Sequence, residues 1–422
     1  MAATRARYGV TAFAISLAAL AYVQRVAISQ AGPGIQADLG LGKEALGWVF
    51  GVFGLSYALF EVPNGILGDR FGVRLTLTRL VVAWSVFLAL TGAAWNLASL
   101  LLARFLFGAG EAGCFPNLTR MLSAWLPVRT RLRAQALMWA CSRWAGSVTP
   151  FLVVALVQWH GWRWAFVALA LLGFAWAAGF YLWFRDDPAL HPAVNAEELE
   201  LLQPAQALTT QEGAIHWYRS LLAVPVLILV LQYFCLSFVW YFYITWLPTY
   251  LLDVRHVSGW WSAAYQMLPL MLGGIGSIVA GFAAARLSGR KIAFAGFLLS
   301  GVLLFAVTRI DSTPLAMLAM GLASFCSDLT MPISWNTCVE IGRRHTAATS
   351  GAMNMFGNVA AFLAPVVGGL IPGHSAGAWN VLIYLMVGAS FLGAACWIFL
   401  DPGASPGPVA TAPASASRRA LS

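Results

Sequence analysis

The sequence predicts an all-α polytopic membrane protein with twelve transmembrane helices in two six-helix pseudo-repeats. Three observations carry that prediction. Of 422 residues, 60% are hydrophobic and only 10% are charged, against roughly 25% charged in a soluble domain. Apolar stretches of about 20 residues, the length that crosses a bilayer, recur along the whole chain. Basic residues gather in alternate loops. A membrane barrel would instead show short segments of alternating hydrophobicity.

In chain order the spans fall at 8–30, 44–67, 74–95, 97–125, 131–158, 162–184, 222–251, 258–285, 290–309, 313–341, 345–371 and 376–400. With both termini on one side, that side holds 18 Lys and Arg, while the opposite loops hold only Lys43, Arg163, Arg255 and Arg309. The positive-inside rule therefore places both termini in the cytoplasm of a multi-pass protein of the inner (plasma) membrane. The same asymmetry explains the net charge of +9 without nucleic acid as a partner. The amino end runs straight from Arg5 and Arg7 into the first span, as a helix rather than a cleaved leader.

Four regions follow: a six-helix bundle at 1–184, a cytoplasmic linker at 185–220, a second six-helix bundle at 221–400 and a disordered tail at 401–422. The linker is marked by Asp186, Asp187, Pro188 and the acidic run at Glu197, Glu198 and Glu200. The tail is rich in Ala, Pro, Ser and Gly and has too little apolar surface to pack. Gly65 to Arg74 after the second span repeats as Gly281 to Lys291 after the eighth, with Asp69 replaced by Ala285. Such a duplication is a transporter architecture with its site near the bilayer midplane. The six cysteines lie in apolar segments without ligand spacing and read as small buried side chains. No phosphate-cradling loop, metalloprotease motif or nucleophile triad appears, so neither enzyme chemistry nor a cofactor or metal is expected.

The stretch from Leu97 to Pro127 holds the most informative residues. Arg104 and Glu111 sit within an otherwise apolar span. Charge at the bilayer centre costs roughly 2.5–3.5 kcal/mol even on insertion scales, so both should face the protein interior or water. Seven residues apart, they share a helix face at about 10 Å. That is too far for a pair, yet suited to an anion or a relayed proton between them. Gly108, Gly110 and Gly113 would let neighbouring helices approach closely.

Several motifs then resemble a known family. The loop from Gly65 to Arg74 resembles the signature of the major facilitator superfamily. Tyr22 to Ser29, the Arg104–Gly108–Glu111–Pro116 pattern, Trp125 to Pro127, Trp246 to Tyr250 and Met353 to Asn358 resemble its anion:cation symporter branch. That branch includes bacterial sugar-acid and phthalate permeases and vesicular organic anion carriers. The resemblance implies the major facilitator fold and movement of organic anions coupled to protons or driven by the potential. It implies that Arg25 and Arg104 serve the anion or the gate and that Glu111 is a protonatable coupling group. Tyr22, Tyr57 and Asn354 would line the cavity, and Asp69, Arg70 and Arg74 would belong to the cytoplasmic gate. The chain departs from the branch at Gln24, which stands where an acid is usual and cannot titrate, and at Arg143, where a neutral polar residue is usual.

Each remaining candidate has more than one reading. Arg25 either forks a substrate carboxylate or is neutralised by Glu111 or by carbonyls. Asp328 is a second proton carrier or a buried hydrogen-bonded acid. Glu61 snorkels, pairs with a loop arginine or carries a proton. Tyr243 and the aromatic run around it cover a ligand or form an interfacial belt. Asn354 and Asn358, one turn apart, bind substrate hydroxyls or bond across helices. Arg143 either adds to a positive surplus, favouring a doubly anionic acid, or pairs with Asp328.

The expectation is a secondary carrier importing small organic anions, carboxylates such as dicarboxylates or sugar acids, with protons by alternating access. Its partners are the anion, protons and the lipid bilayer. A potential-driven facilitator or an anion exchanger, supported by Gln24, is the first alternative. A transporter-like nutrient sensor is the second.

Overall fold

A computed structural model describes residues 3–209, 224–284, 287–342, 346–371, 373 and 375–400. The expected tail at 401–422 and the linker's end at 210–220 lie outside the described residues. The described chain is helical throughout. Ten of its helices are long and apolar enough to cross a membrane, with one of them containing two spans.

In the first half, α1 (Ala6–Leu39) runs nine residues past its expected end. Ala31 and Ile35 are buried, and the helix stops only where Gly40 adopts φ 63° and donates to the Gln36 carbonyl. α2 (Lys43–Phe71) and α3 (Val73–Gly92) meet at Gly72, which has φ 81°. α4 (Leu97–Glu111) starts in a capping box between Asn96 and Ser99. α5 (Cys114–Trp125) continues after a break. α6 (Val128–Trp183) carries the fifth and sixth spans through a kink at His160 and Gly161. α7 (Ala196–Thr209) lies in the connecting segment.

The second half comprises α8 (Val224–Thr245), α9 (Leu247–Asp253), α10 (Gly259–Ala283), α11 (Gly289–Val307), α12 (Thr313–Asp328), α13 (Met331–Gly342), α14 (Thr346–Leu370) and α15 (Ala376–Phe399). Three spans expected to be continuous are broken. The seventh breaks between α8 and α9 at Trp246, ahead of Pro248. The tenth breaks between α12 and α13 at Leu329 and Thr330, ahead of Pro332. The fourth breaks at Ala112 and Gly113. Hydropathy averaged over a window does not register one interrupted turn.

The pseudo-repeat is visible in the packing. α2 lies on α4 as α10 lies on α12, and α3 on α6 as α11 on α15. The two large interfaces between the halves, α2 with α14 and α6 with α10, are also repeat-equivalent. The repeated loop gains a physical meaning here. Arg74 donates from Nε and Nη2 to the Tyr181 carbonyl at the end of α6, at 2.9 and 2.6 Å. Arg290 likewise donates to the Trp397 and Ile398 carbonyls at the end of α15. Each arginine satisfies orphan carbonyls at the last helix of its own half. Ala285 and Arg286 lie outside the described residues.

The end of the molecule opposite the termini is sealed between the halves. Gly47, Gly51 and Gly54 bring α2 against the backbone of α14, where a Cβ at Gly54 would lie 2.6 Å from Ala361. Lys43 donates to the Ile371 and Gly373 carbonyls and stands 4.0 Å over the Trp379 ring. Large apolar side chains such as Phe282, 78% exposed, cover the outer surface, as lipid contact requires.

Candidate functional site

The site is built on the break between α4 and α5. Gly113 has φ 84°, a conformation that favours glycine, and a Cβ there would come within 2.4 Å of the Asn64 side chain. Asn64 takes over carbonyls freed by the break, donating to Ala109 and Ala112 at 2.8 and 2.7 Å. Asn117 donates to the Gly113 carbonyl at 2.8 Å. Glu111 is thereby the last residue of α4, fully buried at the interruption. Gly108 and Gly110 lie against α2 and α3 with no room for a side chain, as their spacing implied.

Arg25 of α1 meets Glu111 through Nη2 at 2.5 Å and Nε at 3.2 Å. Both donors converge on Oε1, and Oε2 of Glu111 has no hydrogen-bond partner among the described residues. The Arg25 guanidinium lies 5.0–5.3 Å from the rings of Tyr22, Phe53 and Tyr57. Tyr241, from the second half, shares its electrostatic neighbourhood. Phe115 stacks on Trp139 at 4.6 Å beside Tyr22.

Arg104 is 1% exposed and makes no ion pair among the described residues. Its guanidinium stands 4.6 Å from the Phe107 ring and 5.3 Å from the Phe53 ring. Its Nε and Nη1 are buried with no hydrogen-bond partner there. Burying a permanent cation this way is expensive without a counter-charge, so the position is suited to an incoming anion.

Arg143 of α6 faces Asp328 of α12 at 3.4 Å and stands 3.5 Å over the Trp240 ring. Its pairing with Asp328 removes the argument for a surplus that would by itself demand a doubly anionic ligand. The Tyr243 hydroxyl donates to the Met320 carbonyl at 3.4 Å, and Tyr241, Phe242 and Trp246 are buried, so this run is not an interfacial belt.

Asn354 and Asn358 do bond across helices. Both amides donate to Glu61 of α2, Asn358 at 3.4 Å. Glu61 is buried and neither snorkels nor pairs with a loop arginine among the described residues, correcting those two readings. Gln24 points away from Arg25 and donates to the Leu169 carbonyl of α6 at 2.7 Å. Arg70 is exposed, Arg74 engages its own half, and the side chain of Asp69 lies outside the described residues.

Sequence reasoning under-weighted Glu61, passed over Phe53, and took Trp240 as one of the rings covering a ligand or forming a belt rather than as the face under Arg143. An acid five residues after Ser56 inside an apolar span was the available signal for the first. Ring faces that receive a cation leave no mark in composition.

The sequence profile of the Major Facilitator Superfamily matches residues 14–365 and 259–421. Over 397 residues, 91% of each chain, the protein is 31% identical to the "Probable sulfoacetate transporter SauU" of Cupriavidus necator. It is 30% identical over 419 residues to the "Probable galactarate/D-glucarate transporter GudP" of Bacillus subtilis, covering 93% of this chain and 90% of that one. It is 25% identical over 426 residues to the D-galactonate transporter of Escherichia coli, with coverage of 94% and 96%. Among solved structures, a bacterial homologue of the human lysosomal transporter Spinster, in an inward-facing and unoccupied conformation, superposes with a TM-score of 0.72 at 18% identity. That match covers 93% of this chain and 94% of the other. With its pseudo-repeated helices and broken spans, the chain belongs to the major facilitator superfamily of membrane transporters and is not an enzyme.

Proposed function

We propose that the protein is a secondary carrier of small organic anions, importing carboxylates and related acids with protons by alternating access across the plasma membrane. Both termini are assigned to the cytoplasm by the distribution of Lys and Arg. The observation that carries the reading is Arg104, a buried guanidinium with unpartnered donors close to the Arg25–Glu111 pair. Relatives named for sulfoacetate, galactarate, D-glucarate and D-galactonate transport point to the same chemical class.

The mechanism follows from charge. Arg104 receives one anionic group in a bidentate fork. Arg25 is held by Glu111 until that carboxyl takes a proton. Protonation releases Arg25 to a second group on the same ligand, so anion and proton enter together. Tyr22 and Tyr57 line the cavity beside Arg25, and Tyr243, Asn354 and Asn358 stand on the facing half. Arg74 braces the end of its own half at the Tyr181 carbonyl, and through that bracing the segment that carries Asp69, Arg70 and Arg74 serves the cytoplasmic gate.

Purified protein in liposomes, offered labelled sulfoacetate, D-glucarate and D-galactonate with and without an inward proton gradient, tests this. Accumulation of at least one acid that needs the gradient is expected. Uptake indifferent to pH would favour the facilitator or exchanger, for which Gln24 at the usual position of an acid is the specific observation. No uptake of any organic acid would overturn the carrier.

A further inference from the structure

Among the described residues three buried carboxyl groups, those of Glu61, Glu111 and Asp328, lie in the membrane core, and two of them, Glu111 and Asp328, face a guanidinium. Glu61 differs. It is 8% exposed, and its partners are neutral amides of the opposite half: Asn354 on Oε1 and Asn358 on Oε2 at 3.4 Å. Asn358 also donates to the Asn354 carbonyl at 3.1 Å, which fixes the pair as a unit on α14. Among the described residues, the titratable groups that act on this region are Tyr57 on the same helix, Arg25 of α1, Glu111 of α4, Cys114 of α5 and Tyr241 of α8. Arg25 is the one cation of that set, and it is already engaged by Glu111.

The position of Glu61 matters as much as its partners. From Gly47 to Gly54 the α2–α14 seam is closed backbone to backbone. Glu61 lies two turns further toward the termini, on the same seam. Alternating access requires α2 and α14 to part there or at the other end. When they part at Glu61, the carboxylate loses both amide donors while still flanked by apolar helices. An unpaired buried carboxylate is costly, and taking a proton removes that cost.

We propose that Glu61 is a second proton-carrying carboxyl of the transport cycle, binding a proton from solvent as α2 leaves α14 and releasing it as the helices meet. The step is a protonation of one carboxylate oxygen, with no other bond made or broken. The proposal rests on the carrier reading and deepens it. It gives the chain a titrating group where Gln24 supplies none, and it places that group across the halves rather than within one.

Two measurements in lipid nanodiscs, neither of which uses substrate, test it. The first is an infrared pH titration of the protonated-carboxyl stretching band. Glu61→Gln is expected to delete one titrating component that Glu111→Gln leaves in place. The second is a pulsed electron paramagnetic resonance distance between nitroxides at Leu67→Cys on α2 and Gly351→Cys on α14, both exposed, with Cys141→Ser as background. In wild type the distribution should lengthen on acidification. In Glu61→Gln it should hold the acid distribution at every pH. Should Glu61→Gln fold poorly, Glu61→Asp must keep the infrared component with a displaced midpoint. An unchanged infrared titration in Glu61→Gln or Glu61→Asp, or a distance in Glu61→Gln that moves with pH as in wild type, overturns the proposal. Failure of the uptake panel would sink the carrier reading and leave these results standing.

Discussion

The Arg25–Glu111 pair and the Arg143–Asp328 pair look alike as chemistry and differ as mechanics. The first joins α1 to α4 inside one six-helix half, at 2.5 Å. The second joins α6 to α12 across the two halves, at 3.4 Å. A half that moves as a body keeps its internal pairs through the cycle. Only a proton or a ligand then breaks Arg25 from Glu111. A pair across the halves is broken by the motion itself, so its energy is part of the balance between conformations. On the proposed carrier reading, ligand chemistry is therefore assigned to the first pair and conformational bias to the second.

The largest effect expected from this contrast is at Arg104, beside the first pair. Arg104→Ala should lower uptake by at least about tenfold, the scale of one lost charge-assisted bond. Arg25→Ala should do the same. Arg104→Lys should recover little, because lysine lacks the planar fork. Wild-type uptake by either alanine variant would place the anion elsewhere.

Next in size is the separation of coupling from binding. Glu111→Gln should abolish accumulation driven by a proton gradient while internal and external substrate still exchange. Loss of exchange as well would mark Glu111 as structural.

The cross-half pair should respond through stability and conformation. Arg143→Gln leaves Asp328 buried without its partner, which costs about 3–5 kcal/mol in buried pairs. Adding Asp328→Asn should restore most of that loss, as read by thermal unfolding in detergent. A double variant as unstable as the sum of its parts would show that the pair is not coupled. Competition by matched mono- and dicarboxylates in Arg143→Gln sharpens the same point. An unchanged preference ratio is expected, since Asp328 already neutralises Arg143.

The smallest effect lies outside the membrane. His191 is wedged between Trp125 and Trp183, with ring centroids 5.4 and 4.6 Å away, and burial holds its pKa below the usual 6.5. The folded state thus binds a proton less readily than the unfolded chain. This contact is at full strength above the ordinary histidine value and weakens as pH falls through it. Protection of the amides from Pro188 to Leu202, taken relative to their intrinsic exchange rate at each pH, should fall on acidification, and His191→Phe should remove that response. Protection in wild type that stays constant with pH would contradict it.

Glu198 shows how the connecting segment is held. Its carboxylate accepts from the Ala6 and Arg7 backbone N–H groups at 3.1 Å and from Arg7 Nη1 at 2.9 Å, capping α1 from α7. Nothing local to the acidic run at Glu197 to Glu200 identifies which of its members does this. The cap joins residues almost two hundred positions apart, and its choice depends on where α7 lands.

The sequence by itself determined the membrane class, the number of spans and the duplication, because each rests on composition or local period. Apolar length, basic-residue asymmetry and the repeated loop survive averaging and need no knowledge of neighbours. It also singled out Arg25, Arg104 and Glu111, since a charge within an apolar span is conspicuous wherever it packs. Only the tertiary structure decided the partners. Arg25 rather than Arg104 holds Glu111, Asp328 neutralises Arg143, and Asn354 and Asn358 turn to Glu61. Those choices depend on which helices touch and at what height. One interrupted turn at Gly113 and a glycine seam along α2 set both, through contacts between residues far apart in the chain.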